Sequence, residues 1–145
     1  MATVKDILGR KGRDVVTIVA DDSVLSAARL MNKRGIGGIV VLEDDEVIGI
    51  FTERDILRRV VAERRDPTTT LIRDVMTTPV MTCKLEAKLE ECTALMTDKR
   101  VRHIPVVDAD GLCGIVTSGD ILAYQVSEQA DTIQYLNSYV FDLRT

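Results

Sequence analysis

The sequence is poor in aromatic residues: it has two phenylalanines, three tyrosines and no tryptophan. So few rings, scattered along the chain, do not make a base-stacking platform for nucleic acid. Acidic and basic residues are mixed along the whole length and the net charge is −4, which disfavours a protein whose main task is to bind DNA. No apolar run approaches the ~18–20 residues of a membrane-spanning helix, and no signal-peptide pattern opens the chain. We therefore expect a cytoplasmic protein with no membrane or nucleic-acid partner.

Cysteine and histidine are also scarce. The three cysteines include no CxxC pair, so a disulfide framework is not expected. The single histidine, His103, has no second histidine or spaced cysteine pair with which to form a metal site. The sequence also lacks a GxSxG motif and a Walker-type lysine loop. These absences predict a protein that needs no metal and is not an enzyme.

The most informative feature that is present is an internal repeat. When the sequence is shifted by 65 positions, residues 15–61 lie over residues 80–126 without a gap, and 14 of these 47 positions are identical. A shorter match, of residues 4–8 with residues 72–76, precedes the two copies. A match of this length is not expected by chance, so the chain contains a duplication.

Periodicities within each copy predict the element order β-α-β-β-α. Short β-branched runs at residues 15–20 and 80–85 predict the first strands. Apolar residues at helical spacing follow each run. In the first copy, Ser23 is placed to begin this helix and Gly35 to end it. Two further strands, separated by an acidic or glycine-containing turn, come next in each copy.

A helix is expected to close each copy, from Thr52 to about Arg64 and from Thr117 to about Val126. The stretch between the copies contains two prolines and five threonines, which is typical of a linker. The predicted fold is therefore α/β (α+β), with two repeats related by pseudo-twofold symmetry. Its expected parts are repeat 1 at residues 1–64, a linker and lead-in at 65–79, repeat 2 at 80–127 and a C-terminal helix at 128–145.

The C-terminal helix lies outside the repeat. Ile133, Leu136, Val140 and Leu143 form one apolar helical stripe. A helix this apolar, left over once both copies are built, is expected to pack on the repeats or on a second subunit.

Each copy ends its last strand with the same short signature. The first copy reads GIFTERD at residues 49–55 and the second reads GIVTSGD at residues 114–120. One interpretation is a helix start, with the threonine as N-cap and the aspartate completing a capping box. This interpretation does not explain why both copies use aspartate instead of the more usual glutamate.

The duplicated signature resembles that of the cystathionine-β-synthase (CBS) domain family. The resemblance extends over about residues 3–127. It rests on the repeat length, the element order, the G-h-h-T-x-x-D signature (h is an apolar residue) and the string RHIPVVD at Arg102–Asp108. Each motif alone is weak, but together and in register they are specific. The resemblance implies a stand-alone tandem CBS pair, also called a Bateman module.

This resemblance implies two clefts between the copies that accept adenosine derivatives. In such pairs the signature aspartate accepts hydrogen bonds from the ribose hydroxyls, which here implies Asp55 and Asp120. The signature hydroxyls are implied near phosphate oxygens at helix N-termini; they are Thr52, Thr117 and Ser118. The adenine is implied against the first and middle strands, near Thr17, Ile36 and Gly37 in one cleft and near Thr82, Val101 and Pro105 in the other.

The two copies differ where charge matters. The first has Arg54 in its signature where the second has Gly119, and the second has Arg102 and His103 where the first has two glycines. We predict that Arg54, Arg102 and His103 contact phosphate, although a solvated surface charge is an equal alternative for each arginine. The sequence does not say which cleft Arg102 and His103 face. Weaker candidates for phosphate contact are Lys11 and Arg13.

The predicted function is a non-catalytic sensor of an adenine nucleotide. AMP is the first candidate ligand, and ATP, ADP, NAD(H) and S-adenosylmethionine are alternatives. The alternative function is a ligand-free scaffold for dimerisation or for docking on an enzyme or transporter. We also expect a regulated protein partner of unknown identity and a homodimer. The surfaces expected to form the dimer are the helix faces of Val24 with Met31 and of Leu89 with Met96, together with the C-terminal helix.

Overall fold

The computed structural model describes residues 1–141, which form six α-helices, one π-helical segment and five strands. The elements follow in this order: α1 Val4–Lys11, β1 Thr17–Val19, α2 Val24–Arg34, β2 Gly38–Glu43, β3 Glu46–Thr52, α3 Glu53–Asp55, the π-helix Ile56–Val61, α4 Ile72–Val75, α5 Leu89–Lys99, β4 His103–Asp108, β5 Gly111–Thr117 and α6 Ser118–Phe141. The mixed α and β elements confirm the predicted fold class, and the first copy follows the predicted element order.

Repeat 1 is built on a three-stranded sheet with the order β1-β2-β3. β1 is parallel to β2, and β2 is antiparallel to β3. The predicted ends of α2 are confirmed. The Ser23 hydroxyl accepts a hydrogen bond from the amide of Ser26 at 3.1 Å, and Gly35 ends the helix in the left-handed conformation with φ 64°, which glycine adopts without strain.

Repeat 2 has lost most of its first strand. Residues 80–85 make only one parallel bridge, between Cys83 and Val106, beside the antiparallel pair β4–β5. In repeat 1 the amide of Val40 donates to the carbonyl of Val16 at 3.2 Å. The position equivalent to Val40 is Pro105, which has no amide hydrogen to donate. The prediction of a regular strand at residues 80–85 is therefore wrong.

The segments that lead into the two repeats are exchanged. α1 packs its buried residues into the core of repeat 2, and α4 packs into the core of repeat 1. The amide of Val4 donates to the carbonyl of Ala87 at 2.9 Å, and the amide of Ile72 donates to the carbonyl of Asp22 at 2.9 Å. The two repeats are thus locked together by short helices that precede one core in sequence but complete the other in space.

The first glycine of each signature provides space for the lead-in of the other repeat. A Cβ added at Gly114 would lie 2.6 Å from Cδ1 of Leu8 in α1. A Cβ added at Gly49 would lie 2.6 Å from Sδ of Met76, just after α4. Both distances are too short for any larger residue without a shift of the neighbour. The duplicated glycines therefore have a packing role.

The helices that close the two copies end in different places. In repeat 1 the helical segment stops at Val61 instead of Arg64, because Arg64 is in the left-handed region with φ 56°. In repeat 2 no break separates the closing helix from the predicted C-terminal helix. α6 is one helix of 24 residues, and its residues 128–138 are all exposed. Leu143 lies outside the described residues.

The predicted dimer faces on α2 and α5 are wrong, because their apolar residues are already used inside the chain. Val24, Met31, Leu89 and Met96 are 1%, 3%, 3% and 7% exposed and belong to the two cores. Most of the large apolar side chains that are exposed lie instead on the two closing helices. They include two pairs of equivalent residues, Leu57 with Leu122 and Val61 with Val126, all between 54% and 62% exposed.

Candidate functional site

The two repeats meet where their middle strands begin. A Cβ added at Gly38, the first residue of β2, would lie 2.9 Å from Cδ2 of His103, the first residue of β4. Just before each strand, a carbonyl accepts a hydrogen bond from the first residue of the closing helix. Gly37 accepts from the amide of Glu53 and Arg102 accepts from the amide of Ser118, both at 3.0 Å. The two signature turns are thereby brought to the same junction.

The Asp55 carboxylate is enclosed by protein groups. Its side chain is 6% exposed. Oδ2 accepts a hydrogen bond from the amide of Thr52 at 3.0 Å, and the Thr77 hydroxyl donates to Oδ1 at 2.9 Å. The guanidinium of Arg59 lies 3.7 Å from Oδ1. Asp55 therefore closes the capping box of α3 and holds the segment that follows α4, and it offers almost no surface to a ligand.

The equivalent carboxylate in repeat 2 is more open. The Asp120 side chain is 24% exposed. Its Oδ2 accepts from the amide of Thr117 at 2.9 Å and from Nζ of Lys11 at 2.6 Å. Within residues 1–141, its Oδ1 accepts no hydrogen bond. The same ammonium also donates to the carbonyl of Ile115 at 3.1 Å, so the end of α1 is fastened to the second signature.

A cavity of about 190 Å³ adjoins Asp120. Its walls come from the exchanged helix α1 and from the first turns of α6, and its lining residues are Ile7, Arg10, Lys11, Asp120, Ala123 and Tyr124. Arg10 fixes one side, because its guanidinium lies 4.6 Å from the centre of the Tyr124 ring and pairs with Glu128 at 2.9 Å. A cation over an aromatic face is held by the ring quadrupole.

Arg54 reaches from the first signature into repeat 2. Its guanidinium donates to the carbonyl of Arg100 at 3.0 Å. Arg100 ends α5 in the left-handed conformation, at the position that Gly35 has in repeat 1. Arg54 therefore lies near the start of β4, because its partner Arg100 is two residues before Arg102 in the sequence.

His103 is placed among charges from both repeats. Burial lowers its pKa most, and the charges of Lys11 and Arg102 lower it further. The carboxylates of Glu53 and Asp120 act in the opposite direction. The folded protein therefore favours a neutral imidazole at this position.

This lowered pKa predicts how stability depends on pH. An unfolded chain binds a proton on His103 as the pH falls through about 6.5, whereas the folded chain resists it. Stability should therefore fall as the pH is lowered from about 7.5 to 5.5, and His103 should contribute no dependence above that window. Urea unfolding of the wild type and of His103→Gln at several pH values measures this. The variant should show a smaller loss, and an equal loss would contradict the assignment.

The remaining predicted residues are spread around this junction. Thr52 is the N-cap of α3, and Thr117 immediately precedes α6. The Thr52 hydroxyl accepts a hydrogen bond from the amide of Asp55, and the Thr117 hydroxyl accepts one from the amide of Asp120. Of the residues predicted near a base, those that are half-buried or buried are Thr17, Ile36, Gly37, Val101 and Pro105, while Thr82 is exposed. Ser118 and Gly119 are exposed at the start of α6. Arg13 is exposed.

Sequence reasoning missed Thr77 and named Lys11 only as a weaker candidate for phosphate contact, although these two groups distinguish the two signatures. Thr77 and Lys11 each contact a signature aspartate, yet both lie in the lead-in segments, outside the gapless repeat. The only sequence signal was the match of residues 4–8 with residues 72–76. That match marks the lead-ins as equivalent, but it does not say that they are exchanged in space.

Comparison with known proteins identifies the family. The CBS domain family matches the chain twice, at residues 4–62 and 72–127. CBS domain-containing protein CBSX3 of Arabidopsis thaliana, a mitochondrial protein, is 34% identical over 147 residues, covering 95% of this chain and 71% of the relative.

Solved structures agree with this match. A crystal structure of a CBS domain, NE2398, has a TM-score of 0.82 and 37% identity, and it covers 86% of this chain and 98% of its own. The CBS domain pair of protein MJ0100 was solved in complex with 5′-methylthioadenosine and S-adenosyl-L-methionine. It has a TM-score of 0.75 and 27% identity, and it covers 85% of this chain and 98% of its own.

The chain therefore belongs to the CBS domain family and carries a pair of these domains. Proteins made only of CBS domains are generally regulatory proteins of signal transduction. None of the helices within residues 1–141 combines the length and the hydropathy that a bilayer-spanning segment requires. In the same part of the chain, no three histidine, cysteine, aspartate or glutamate side chains are grouped so that they could hold a metal ion.

Proposed function

We propose that this protein is a non-catalytic regulatory module that binds one adenosyl ligand per chain, with Asp120 as the acceptor for the ribose hydroxyls. The observation that carries the proposal is the difference between the two signature carboxylates. Asp55 is enclosed by Thr52 and Thr77, whereas Asp120 keeps one oxygen without a partner among the described residues, beside a cavity. An ionised carboxylate accepts from two vicinal hydroxyls only where they can reach it.

The class of ligand is supported by a relative and by local charge. The similar CBS pair of protein MJ0100 was solved with adenosyl compounds. Around Asp120, Lys11 contacts the carboxylate itself, and Arg102 lies close enough to influence His103. These cations favour a ligand that carries phosphate. AMP is therefore the first ligand to test, ahead of ATP, ADP, NAD(H) and S-adenosylmethionine.

Binding requires a rearrangement of Lys11. The cavity of about 190 Å³ is smaller than the roughly 300 Å³ at which small-molecule pockets begin. Lys11 also contacts Oδ2 of Asp120, so a ribose that binds both oxygens must displace the ammonium. The displaced ammonium, on a flexible four-carbon stem, can then reach a phosphate attached to the same ribose. In this proposal the Lys11 ammonium leaves the Asp120 carboxylate and pairs with the phosphate of the ligand.

Calorimetry on ligand-free protein tests the proposal. AMP, ATP, ADP, NAD, NADH, 5′-methylthioadenosine and S-adenosylmethionine are titrated separately, and at least one should bind with one site per chain and raise the melting temperature. The same nucleotides should be recovered unchanged by chromatography after incubation, since we propose no catalysis. Absence of heat and of any melting shift with every ligand would contradict the adenosyl site.

That negative outcome would favour the second candidate function, a ligand-free scaffold for dimerisation or for docking on an enzyme or transporter. The observation in its favour is Asp55, whose carboxylate is used as a structural cap. The two candidates are separated by ligand binding alone. The cytoplasmic location and the regulated protein partner stay predictions.

We also propose that the module self-associates through its closing helices. Leu57 and Leu122 occupy equivalent positions, as do Val61 and Val126, and all four are more than half exposed. A surface whose two halves are related by pseudo-twofold symmetry matches itself, as an isologous dimer interface requires. Large apolar side chains left exposed on a protein surface are candidates for such an interface. The homodimer is thus assigned to the closing helices instead of α2 and α5.

A further inference from the structure

The second half of α6 extends beyond the repeats. Ile121 is buried in the core of repeat 2 and Tyr124 packs against that core, but residues 128–138 are all exposed. An isolated helix shorter than about 12–15 residues is only marginally stable in water. The exposed large apolar side chains of this half of the helix include Ile133, Leu136 and Val140, which are 58%, 50% and 62% exposed, and Tyr135, which is 68% exposed.

Ile133, Leu136 and Val140 belong to a longer heptad pattern that begins on the body of the repeat. Successive positions along it are separated by 4, 3, 4, 3 and 4 residues, and they are Leu122, Val126, Gln129, Ile133, Leu136 and Val140. With Val126 as position a, the a residues are Val126, Ile133 and Val140, and the d residues are Leu122, Gln129 and Leu136. A 3.5-residue apolar period over successive heptads is the pattern of a helix that pairs with another helix.

We propose that α6 pairs in parallel and in register with α6 of a second copy, forming a two-stranded coiled coil that extends the dimer surface of the repeats. This inference rests on the proposed self-association, to which it adds a partner element and an orientation. β-branched residues at a with leucine at d favour parallel two-stranded pairing. The single polar seam residue, Gln129, lies opposite its own equivalent only in the parallel register, where the two amides can hydrogen-bond.

The residues beside the seam are compatible with a second copy of the same chain. Positions e and g carry no charge among the residues described, since they are Ala123, Gln125, Ala130, Thr132 and Asn137, together with Tyr139. No like charges would therefore face each other across a self-paired seam, and no charge pattern selects a different helix. In a pair of identical helices, each apolar seam residue would face an apolar seam residue of the second copy, and Gln129 would face Gln129.

The surface that the paired helices would bury is also large enough for a specific interface. Five apolar seam residues on each of two chains, at about 100 Å² of side-chain surface each, amount to roughly 1,000 Å², close to the lower bound of a specific interface. Leu122 and Val126 belong both to this seam and to the proposed surface on the closing helices. The coiled coil is therefore continuous with that surface, which contributes further area through Leu57 and Val61.

Sedimentation equilibrium of the full chain tests the seam with a matched pair of variants. Ile133→Asp places a charge at an a position, whereas Gln134→Asp places the same charge on the neighbouring outer face. We expect Ile133→Asp to raise the dimer dissociation constant by roughly 100-fold and Gln134→Asp to leave it within threefold. Equal constants for the two variants, with the dimer intact, would overturn the coiled coil but leave self-association standing. A monomeric wild type would overturn both.

Disulfide trapping tests the orientation. Val126→Cys and Leu136→Cys are oxidised separately, with the wild type as control for Cys83, Cys92 and Cys113. In a parallel, in-register pair each new cysteine lies opposite its own copy, within the 4.4–6.8 Å between Cα atoms that a disulfide spans. Both variants should therefore give cross-linked dimers. An antiparallel pair brings at most one of the two positions next to itself, so cross-linking of only one variant, or of neither, would overturn the parallel arrangement.

Discussion

Replacing Asp120 with alanine is expected to weaken binding of the adenosyl ligand by about 1.5–3 kcal/mol, which corresponds to roughly a 10- to 150-fold higher dissociation constant. The reason is the loss of charge-assisted hydrogen bonds from the ribose hydroxyls to an accessible carboxylate. Calorimetry with the ligand that binds the wild type most tightly measures the change.

The matched control is Asp55→Ala, at the equivalent position of repeat 1. Because Asp55 is enclosed, its loss should leave the dissociation constant within about threefold of the wild type. It should instead reduce the free energy of unfolding by about 1–3 kcal/mol, since the α3 cap is lost and the Thr77 hydroxyl loses its acceptor. Equal losses of affinity in the two variants would mean that both signatures bind ligand.

These two residues also show how far the sequence predicts the site. Both aspartates are visible as equivalent members of a repeated signature, and the capping role is visible with them. What distinguishes them is the neighbour supplied by a lead-in segment: Thr77 closes over Asp55, and Lys11 pairs with Asp120. Each neighbour comes from a segment far away in sequence or outside the repeat register. Local periodicity carries no information about such contacts.

In the fold as well, features that depend on neighbouring residues can be predicted from the sequence, and features that depend on distant residues cannot. Ser23 and Gly35 predict both ends of α2, because capping depends on the residue and its immediate neighbours. The strand expected at residues 80–85 fails for a reason that lies on another strand, where Pro105 lacks the amide that Val40 donates in repeat 1. β-branched composition predicts an extended segment, but a ladder also needs a partner with donors in the right place.

The exchange of the lead-in helices leads to the other large expected effect. Leu8→Ala should lower the free energy of unfolding by about 2–5 kcal/mol, because Leu8 is 2% exposed in the core of repeat 2 and truncation leaves a cavity there. Urea denaturation measures the loss. Lys5→Ala, at an exposed position of the same helix, should change stability by no more than about 0.5 kcal/mol.

Hydrogen exchange shows which repeat each lead-in supports. Leu8→Ala removes packing beneath β4 and β5, so it should reduce amide protection in those strands more than in β1–β3. Ile72→Ala should do the reverse, because Ile72 is fully buried in the core of repeat 1. If each variant instead lost protection in the repeat that follows it in sequence, the exchange would be wrong. Because α1 also carries Lys11, this exchange makes the stability of repeat 2 and the position of the ammonium beside Asp120 depend on the same short helix.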